Sequence, residues 1–149
     1  LLRTLVASVE PDLGRKQLEL RVDVEPGLPR LRTDVDRLRQ VLGNLLNNAI
    51  QFTERGGITL SVRRHPTRLG VLRFEVADTG IGIPAAALPH IWDEFYQVNP
   101  DRARPDGGSG LGLPLSRKLA EALGGAIAVA SAEHAGSRFT VDLPLQPPE

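Results

Sequence analysis

A long irregular stretch in the second half of the chain places the strongest constraint on the fold. Residues 78–108 contain four glycines and four prolines, with helical spacing only in a short patch at residues 88–97. The segments on both sides are regular, because their apolar residues recur with strand or helix periods. A long loop inside a compact domain is unusual and tends to be functional. We therefore expect the flanking elements to build the core and this stretch to carry function.

The flanking segments predict an α/β fold. Apolar spacing predicts helices over residues 1–10, 33–52 and 109–123, a strand over 17–24, and two hairpins over 58–77 and 126–143. We expect Pro11 to end the first helix and Thr33 to cap the second. The strand at 17–24 alternates strictly, which predicts a half-buried strand. Hairpins with helices between them favour a two-layer sandwich, a mixed and mostly antiparallel sheet of about five strands with helices on one face.

Length and composition limit the possible functions. The 149 residues fit a single domain, 1–149, with a frayed tail at 146–149. The 18 basic and 18 acidic residues balance, which argues against broad binding to nucleic acid. The absence of cysteine excludes disulfides and thiolate metal sites. No apolar run is long enough to span a membrane, so we expect no direct membrane contact, and the lack of methionine suggests a piece of a longer protein.

Three amide side chains share one stripe of the central predicted helix. Asn44 and Asn48 lie one turn apart, and Gln51 falls beside them. Amide oxygens are neutral, hard ligands that suit a Mg²⁺ ion also held by phosphates. The alternative is a solvated helix face without a ligand.

An Asp-Gly motif follows the second strand of the first predicted hairpin. Asp78 has the same parity as the inward-facing Phe74 and Val76, so its carboxylate should emerge on the core side. A buried carboxylate needs a hydrogen-bond donor, and the exocyclic amino group of adenine would serve. Gly80 and Gly82 would let the backbone approach a ligand closely. The alternative is an ordinary Asp-Gly turn.

A glycine-rich segment, Gly107–Leu113, opens the third predicted helix. Backbone N–H groups at such a helix start can bind phosphate. No Gly-Lys-Ser/Thr sequence follows and no strand leads directly into it, so it is neither a Walker loop nor a Rossmann turn. The alternative is a flexible hinge.

Four motifs together are more specific than any one of them. Residues 37–49, the Asp78 motif, residues 91–97 and the glycine-rich segment occur in the order and spacing of the catalytic ATP-binding domain of sensor histidine kinases. The chain resembles this domain over about residues 17–145. The resemblance implies the Bergerat-type ATP-binding fold, which gyrase, the ninety-kilodalton heat-shock chaperone and the mismatch-repair ATPases share. It also implies a cytoplasmic domain, and leaves open whether the parent protein is membrane-anchored.

The resemblance also assigns roles to residues. Asp78 would bind the adenine amino group, Gly82 and Ile83 would line the base pocket, and Phe52 would lie against the nucleotide. Asn44 and Asn48 would act in catalysis by holding Mg²⁺ and phosphate. Arg104 would contact the γ-phosphate, the alternative being a solvated loop arginine. The other implied ATP-binding positions are Gln51, Gly80, Gly108, Gly110, Leu111 and Gly112. Residues 84–108 would form a mobile ATP lid, packed down by Trp92, Phe95 and Tyr96.

Two positions bear on the reaction. Hydrolytic relatives place a general-base Glu where this chain has Asn44, so the resemblance favours transfer of the γ-phosphoryl group to a protein over rapid hydrolysis. Many kinases of this family have Lys at Gln51, which motivates an alternative: a nucleotide-binding regulatory module without transferase activity. A clamp-type ATPase is the least favoured alternative.

The phosphoryl acceptor is expected elsewhere. His65, His90 and His134 lack the helical setting that the family phosphorylates, and we interpret all three as surface residues. The resemblance instead implies an acceptor histidine on an upstream helical dimerisation domain, whose end would be residues 1–14. The parent would then be a homodimer that phosphorylates the receiver domain of a response regulator.

Overall fold

Three helices and five strands make up most of the described part of the molecule. The structure is a computed structural model that describes residues 1–96 and 112–146. In chain order the elements are α1 (Leu2–Lys16), β1 (Glu19–Val24), α2 (Val35–Phe52), β2 (Gly57–Arg64), β3 (Val71–Asp78), α3 (Gly112–Ala122), β4 (Ala126–Ser131) and β5 (Ser137–Pro144). A single 3-10 turn, Leu88–His90, lies between β3 and α3.

The five strands form one sheet in the order β1-β2-β3-β5-β4. β1 runs parallel to β2, with Val22 opposite Leu60. The other three pairings are antiparallel, and the central one places Phe74 opposite Val141. A parallel pair needs a crossover, and α2 supplies it between β1 and β2. The predicted mixed, mostly antiparallel sheet is therefore confirmed.

The core lies between one face of the sheet and the helices. Inward side chains of the three central strands are almost fully buried, as are those on the inner face of α2. The largest of them are Phe139, Leu38, Leu42, Leu45, Leu46, Ile50, Ile58, Leu60 and Leu143. Leu5 of α1 packs over Gly43 of α2, so α1 belongs to the same core. Within residues 1–96 and 112–146, no helix is both long enough and apolar enough to cross a membrane.

The prediction that Pro11 ends the first helix is wrong. α1 continues through Pro11 to Lys16. The proline removes one backbone hydrogen bond, but Leu5, Val9 and Leu13 share one buried stripe that spans it. Burial of Leu13 offsets the lost hydrogen bond. Whether residues 1–14 end an upstream dimerisation segment stays a prediction.

The predicted cap of the second helix is one residue off. Asp34, rather than Thr33, is the N-cap of α2, and its carboxylate accepts a hydrogen bond from the backbone N–H of Arg37. Asp is as good a cap as Thr, and its negative charge also favours the helix N-terminus.

β1 is less buried than its alternation predicts. Leu18 just before it is buried, but Val22 and Val24 are 40% and 46% exposed. β1 is an edge strand that pairs with β2 alone in the sheet. Periodicity identifies the inward face of a strand, but it does not show whether a helix extends far enough to cover that face.

Candidate functional site

The carboxylate of Asp78 is the centre of the candidate site. Asp78 is the last residue of β3, opposite Ile58 on one side and Ser137 on the other. Its Oδ1 accepts hydrogen bonds from the backbone N–H groups of Gly80 (2.8 Å) and Ser137 (3.3 Å). Burial raises the pKa of Asp78, and these two hydrogen bonds lower it by less. The group is thus half-buried at a strand end, as its parity predicts.

The two glycines after Asp78 approach the protein's own backbone. A Cβ at Gly80 would clash with the carbonyl oxygen of Phe52, and one at Gly82 would clash with the carbonyl oxygen of Ala132. Gly82 also has φ +71°, a conformation that side chains disfavour. The small residues are therefore explained by packing within the protein, and close approach to a ligand is not needed to account for them.

α2 connects the Asp78 loop to the amide stripe. The carbonyl oxygen of Phe52, the last residue of α2, accepts a hydrogen bond from the N–H of Ile81 (3.1 Å). Lys16 of α1 donates from its ammonium group to the carbonyls of Ile50 (2.6 Å) and Gln51 (3.2 Å). The C-terminal end of α2 is thereby held between α1 and the loop.

One member of the amide stripe, Asn44, contacts the start of α3. Asn44 donates from Nδ2 to Ser116 Oγ (3.2 Å) and the carbonyl oxygen of Gly112 (3.5 Å). Asn44 and Asn48 are both half-buried, whereas their neighbour Asn47 is exposed. Asn44 and Phe52 are eight residues apart, about 12 Å along the helix at 1.5 Å per residue. Asn44 therefore lies well away from the Asp78 loop, whereas Gln51, at the other end of the stripe, directly precedes the residue that contacts it.

The first part of the predicted lid is packed against the domain. Ala87 and Ile91 are buried. Trp92 makes an edge-to-face contact with Phe139, with ring centroids 6.1 Å apart, and the guanidinium carbon of Arg117 lies 5.7 Å from the Trp92 ring centroid. Phe95, which we expected to pack the lid down, is 69% exposed. Residues 84–96 thus contact the domain in this structure, and whether residues 84–108 form a mobile lid stays a prediction.

Several predicted site residues lie outside the described part of the chain. They are Arg104, Gly108, Gly110 and Leu111, together with most of the glycine-rich segment. Gly112 is described and is the first residue of α3. Its carbonyl oxygen accepts a hydrogen bond from Ser116 Oγ at 2.8 Å.

One of the three histidines differs from its prediction. The side chains of His90 and His134 are 55% and 84% exposed, as expected, but that of His65 is only 10% exposed. His65 Nδ1 accepts hydrogen bonds from the backbone N–H groups of Thr67 and Arg68, and Nε2 lies 3.6 Å from a carboxylate oxygen of Asp142. His65 thus stabilises the β2–β3 hairpin, and the interpretation of it as a surface residue is wrong.

An open depression of about 620 Å³ lies near the same end of the sheet. Most of its lining residues have the parity opposite to that of the core: Glu19, Arg21, Gly57, Thr59, Ala77 and Thr79. It touches Asp78 but none of the other predicted nucleotide-binding residues. We therefore place the candidate site on the α2 side of Asp78 and not in this depression.

Sequence reasoning missed two serines that contact the site. Ser116 accepts the hydrogen bond of Asn44, and Ser131 Oγ accepts one from the N–H of Ile83 (2.8 Å). Ser131 has the inward parity of Ile127 and Val129 in β4. A hydroxyl at an inward position of a strand needs a polar partner, and that signal could have identified it.

Comparison with known proteins decides the family. Residues 33–147 match the family described as histidine kinase-, DNA gyrase B- and HSP90-like ATPase. The chain belongs to this ATPase family. The aerobic respiration control sensor protein ArcB of Escherichia coli K12 is 43% identical over 135 residues, which are 88% of this chain and 17% of ArcB. The sensor histidine kinase RcsC of the same strain is 43% identical over 142 residues, 95% of this chain and 15% of RcsC.

Solved structures of histidine kinases share the fold of this ATPase-family domain. Full-length ShkA in complex with AMPPNP has a TM-score of 0.84 and 35% identity, over 99% of this chain and 30% of ShkA. The nucleotide-free catalytic domain of the histidine kinase ThkA has a TM-score of 0.80 and 27% identity, over 97% of this chain and 90% of that domain. The predicted resemblance to the catalytic ATP-binding domain of sensor histidine kinases is confirmed, and the chain spans a small part of the curated relatives it matches.

Proposed function

We propose that this domain binds Mg²⁺–ATP and supplies the γ-phosphoryl group for transfer to a histidine on a separate helical dimerisation domain. The observation that carries the proposal is how the two oxygens of the Asp78 carboxylate are hydrogen-bonded. Its Oδ1 accepts two backbone hydrogen bonds, whereas its Oδ2 accepts none from residues 1–96 or 112–146. A half-buried carboxylate oxygen without a donor is a strong acceptor for the amino group of adenine.

The chemistry of the amide stripe fits a magnesium ion that is shared with phosphates. Asn44 directs its Nδ2 to α3, and its Oδ1 accepts no hydrogen bond within the described ranges. Those ranges also contain no group of three or more acidic, His or Cys side chains that could hold a metal. Mg²⁺ usually takes few protein ligands together with substrate phosphates, so Asn44 and Asn48 are sufficient protein ligands. When bound, the ion neutralises charge on the phosphate oxygens.

The residues at the stripe favour transfer over hydrolysis. In transfer, a histidine nitrogen attacks the γ-phosphorus while the bond to the β–γ bridging oxygen breaks and ADP leaves. Hydrolysis needs a base that accepts a proton from water, and the amide of Asn44 cannot do this at neutral pH. Asn44 instead orients the phosphates, while Asp78 holds the base. The domain therefore positions the phosphoryl donor and leaves the nucleophile to a partner.

The partner follows from the histidines and from the relatives. His65 is committed to the β2–β3 hairpin, so it is unsuited to accept a phosphoryl group. ArcB and RcsC are sensor proteins much longer than this chain. We propose that the parent is a homodimeric sensor kinase with a helical acceptor domain, that a receiver domain takes the phosphoryl group from the histidine, and that this domain works in the cytoplasm.

The direct test is phosphoryl transfer in trans. The parent's helical acceptor domain is mixed with this chain and γ-labelled Mg²⁺–ATP, and label on histidine is measured together with free phosphate. We expect labelled acceptor that is stable in alkali and labile in acid, with little free phosphate. The matched comparison is Asn48→Ala against Asn47→Ala, because Asn47 is an exposed amide on the same helix. Only Asn48→Ala should lower the labelling.

Two other outcomes point to the alternatives. Nucleotide binding without any label on the acceptor would indicate the regulatory module that Gln51 motivates. Rapid release of phosphate by this chain alone would indicate a clamp-type ATPase.

A further inference from the structure

Two turns meet behind the Asp78 carboxylate. We call residues 79–83 the base loop and residues 132–136, between β4 and β5, the buttress turn. The N–H of His134 donates to the carbonyl oxygen of Ile81 (2.6 Å). The N–H of Ile83 donates to Ser131 Oγ, on the last residue of β4 (2.8 Å). The base loop is thus hydrogen-bonded to the β4–β5 hairpin at Ile81 and at Ile83.

The hydroxyl of Ser131 stands at the junction of these contacts. While accepting from Ile83, it lies 2.9 Å from the carbonyl oxygen of Gly136, to which it donates, and 2.8 Å from the hydroxyl of Ser137. The backbone N–H of Ser137 in turn donates to Asp78 Oδ1. One side chain therefore connects the far end of the base loop to the strand that orients the carboxylate.

Close packing keeps the two turns from moving independently. A Cβ at Gly136 would clash with the carbonyl oxygen of Asp78, just as one at Gly82 would clash with Ala132. Gly136 also has φ +83°, which favours glycine. Because the turns are this close at Gly82 and Gly136, we expect a change in the hydrogen bonds of Ser131 to shift the position of Asp78.

We propose that Ser131 is a positioning residue for recognition of the adenine base. It contacts no nucleotide, and it acts by fixing Ile83 and the Ser137 N–H so that Asp78 Oδ2 stays aimed at the amino group. The proposal rests on the proposed function, because it takes Asp78 as the acceptor of that group. Discrimination by a single hydrogen bond depends on holding its acceptor within a fraction of an ångström.

The test compares two nucleotides that differ only in the 6-amino group of the purine base. Calorimetric affinities for Mg²⁺–ATP and for the triphosphate of purine riboside, which lacks the 6-amino group, are measured for wild type, Ser131→Ala and Ser131→Thr. We expect wild type to prefer ATP, and Ser131→Ala to reduce that preference about three- to tenfold, the scale of one hydrogen bond. Ser131→Thr keeps the hydroxyl and should retain most of the preference.

The control removes a comparable hydrogen bond far from the site. Ser8 Oγ donates to the carbonyl oxygen of Leu5 in α1 (2.6 Å), so Ser8→Ala should leave the preference unchanged even if it lowers the melting temperature. An unchanged preference in folded Ser131→Ala overturns the positioning role while the adenine assignment stands. A wild type without preference overturns the assignment of Asp78 itself. If Ser131→Ala does not fold, Ser131→Cys, which offers only a weak acceptor, gives the same comparison.

Discussion

The two ends of the candidate site are built in different ways. At the end that we propose binds the base, called the base end here, Asp78 is held by backbone N–H groups from its own loop and from β5, and the loop is hydrogen-bonded to two further elements. At the end that we propose binds the phosphates, called the phosphate end here, Asn44 is held by the Ser116 hydroxyl and the Gly112 carbonyl oxygen, both in α3. The base end depends on neighbouring strands of one sheet, and the phosphate end on the packing of two helices.

Under the proposed function, this difference would separate recognition of the base from catalysis. Strands in fixed register form a rigid acceptor that can select a base before any phosphate is bound. A contact between two helices can change with the position of either helix, so under the same proposal we expect the phosphate end to be the part that responds to a partner.

Replacing the base-end acceptor should have the largest effect. Asp78→Asn keeps the shape, but it removes the charge and can present a donor to the adenine amino group. We expect ATP affinity to fall by about 2 kcal/mol or more, close to thirtyfold, by calorimetric titration. Asp23→Asn in β1, an exposed strand residue, is the matched control and should bind normally. Equal affinity of wild type and folded Asp78→Asn would remove the basis for the adenine assignment.

Removing an amide at the phosphate end should have a smaller effect. We expect Asn48→Ala to lose about tenfold in Mg²⁺-dependent ATP affinity, because one of two protein oxygens is missing. In the absence of Mg²⁺ the loss should shrink, since the phosphates then bind without the shared ion. Titrations with and without Mg²⁺ measure the difference, and Asn47→Ala is the control. A loss that does not depend on Mg²⁺ argues against a role in metal binding.

The contact between the helices can be tested at Asn44 and Ser116. Ser116 is fully buried, and Ser116→Ala leaves Asn44 Nδ2 with the longer hydrogen bond to Gly112. We expect the free energy of unfolding, measured in urea, to fall by about 1 kcal/mol. We also expect the rate of phosphoryl transfer to fall by a larger factor than the affinity for purine riboside triphosphate.

Installing a carboxylate at the same position tests the reaction type. Asn44→Glu places the general base of hydrolytic relatives one turn before Asn48. We expect slow ATP hydrolysis by wild type and at most a modest rise in Asn44→Glu, because water must also be positioned. Asn44→Gln controls for side-chain length. Phosphate release by wild type as fast as that by a clamp ATPase is the contradictory result.

The smallest expected effect is the pH dependence that Asp78 contributes. Burial raises the pKa of Asp78 in the folded state, so the unfolded chain loses its proton first as pH rises. Between the ordinary and the raised pKa, this group therefore lowers the free energy of unfolding with increasing pH. In urea unfolding at several pH values, the free energy of unfolding should decrease less steeply with pH in Asp78→Asn than in wild type. Identical slopes would contradict a raised pKa for Asp78.

Structural features that depend on neighbouring residues in the chain could be predicted from the sequence. Parity placed Asp78 on the core side of β3, and helical spacing placed Asn44 and Asn48 on one stripe. The hairpins and the mixed sheet followed from periodicity and from the order of the elements. The resemblance then supplied roles that spacing alone left open.

Contacts between segments that are distant in the chain could not be predicted from the sequence. The extension of α1 past Pro11 depends on burial of Leu13, and the exposure of β1 depends on where the helices end. The low exposure of the His65 side chain goes with a contact to Asp142, which belongs to a strand far along the chain. Gly80 and Gly82 were attributed to a ligand because the backbone that approaches them comes from other elements.

The place of α1 in the core has a practical consequence for anyone who divides such a protein into parts. The family match begins at residue 33, after both α1 and β1. A fragment cut at that boundary would uncover the apolar surface beneath Leu5 and Val9, remove the Lys16 ammonium from the end of α2, and turn β2 into an unprotected edge. The part of the chain that packs into one core is thus larger than the part that the family match covers.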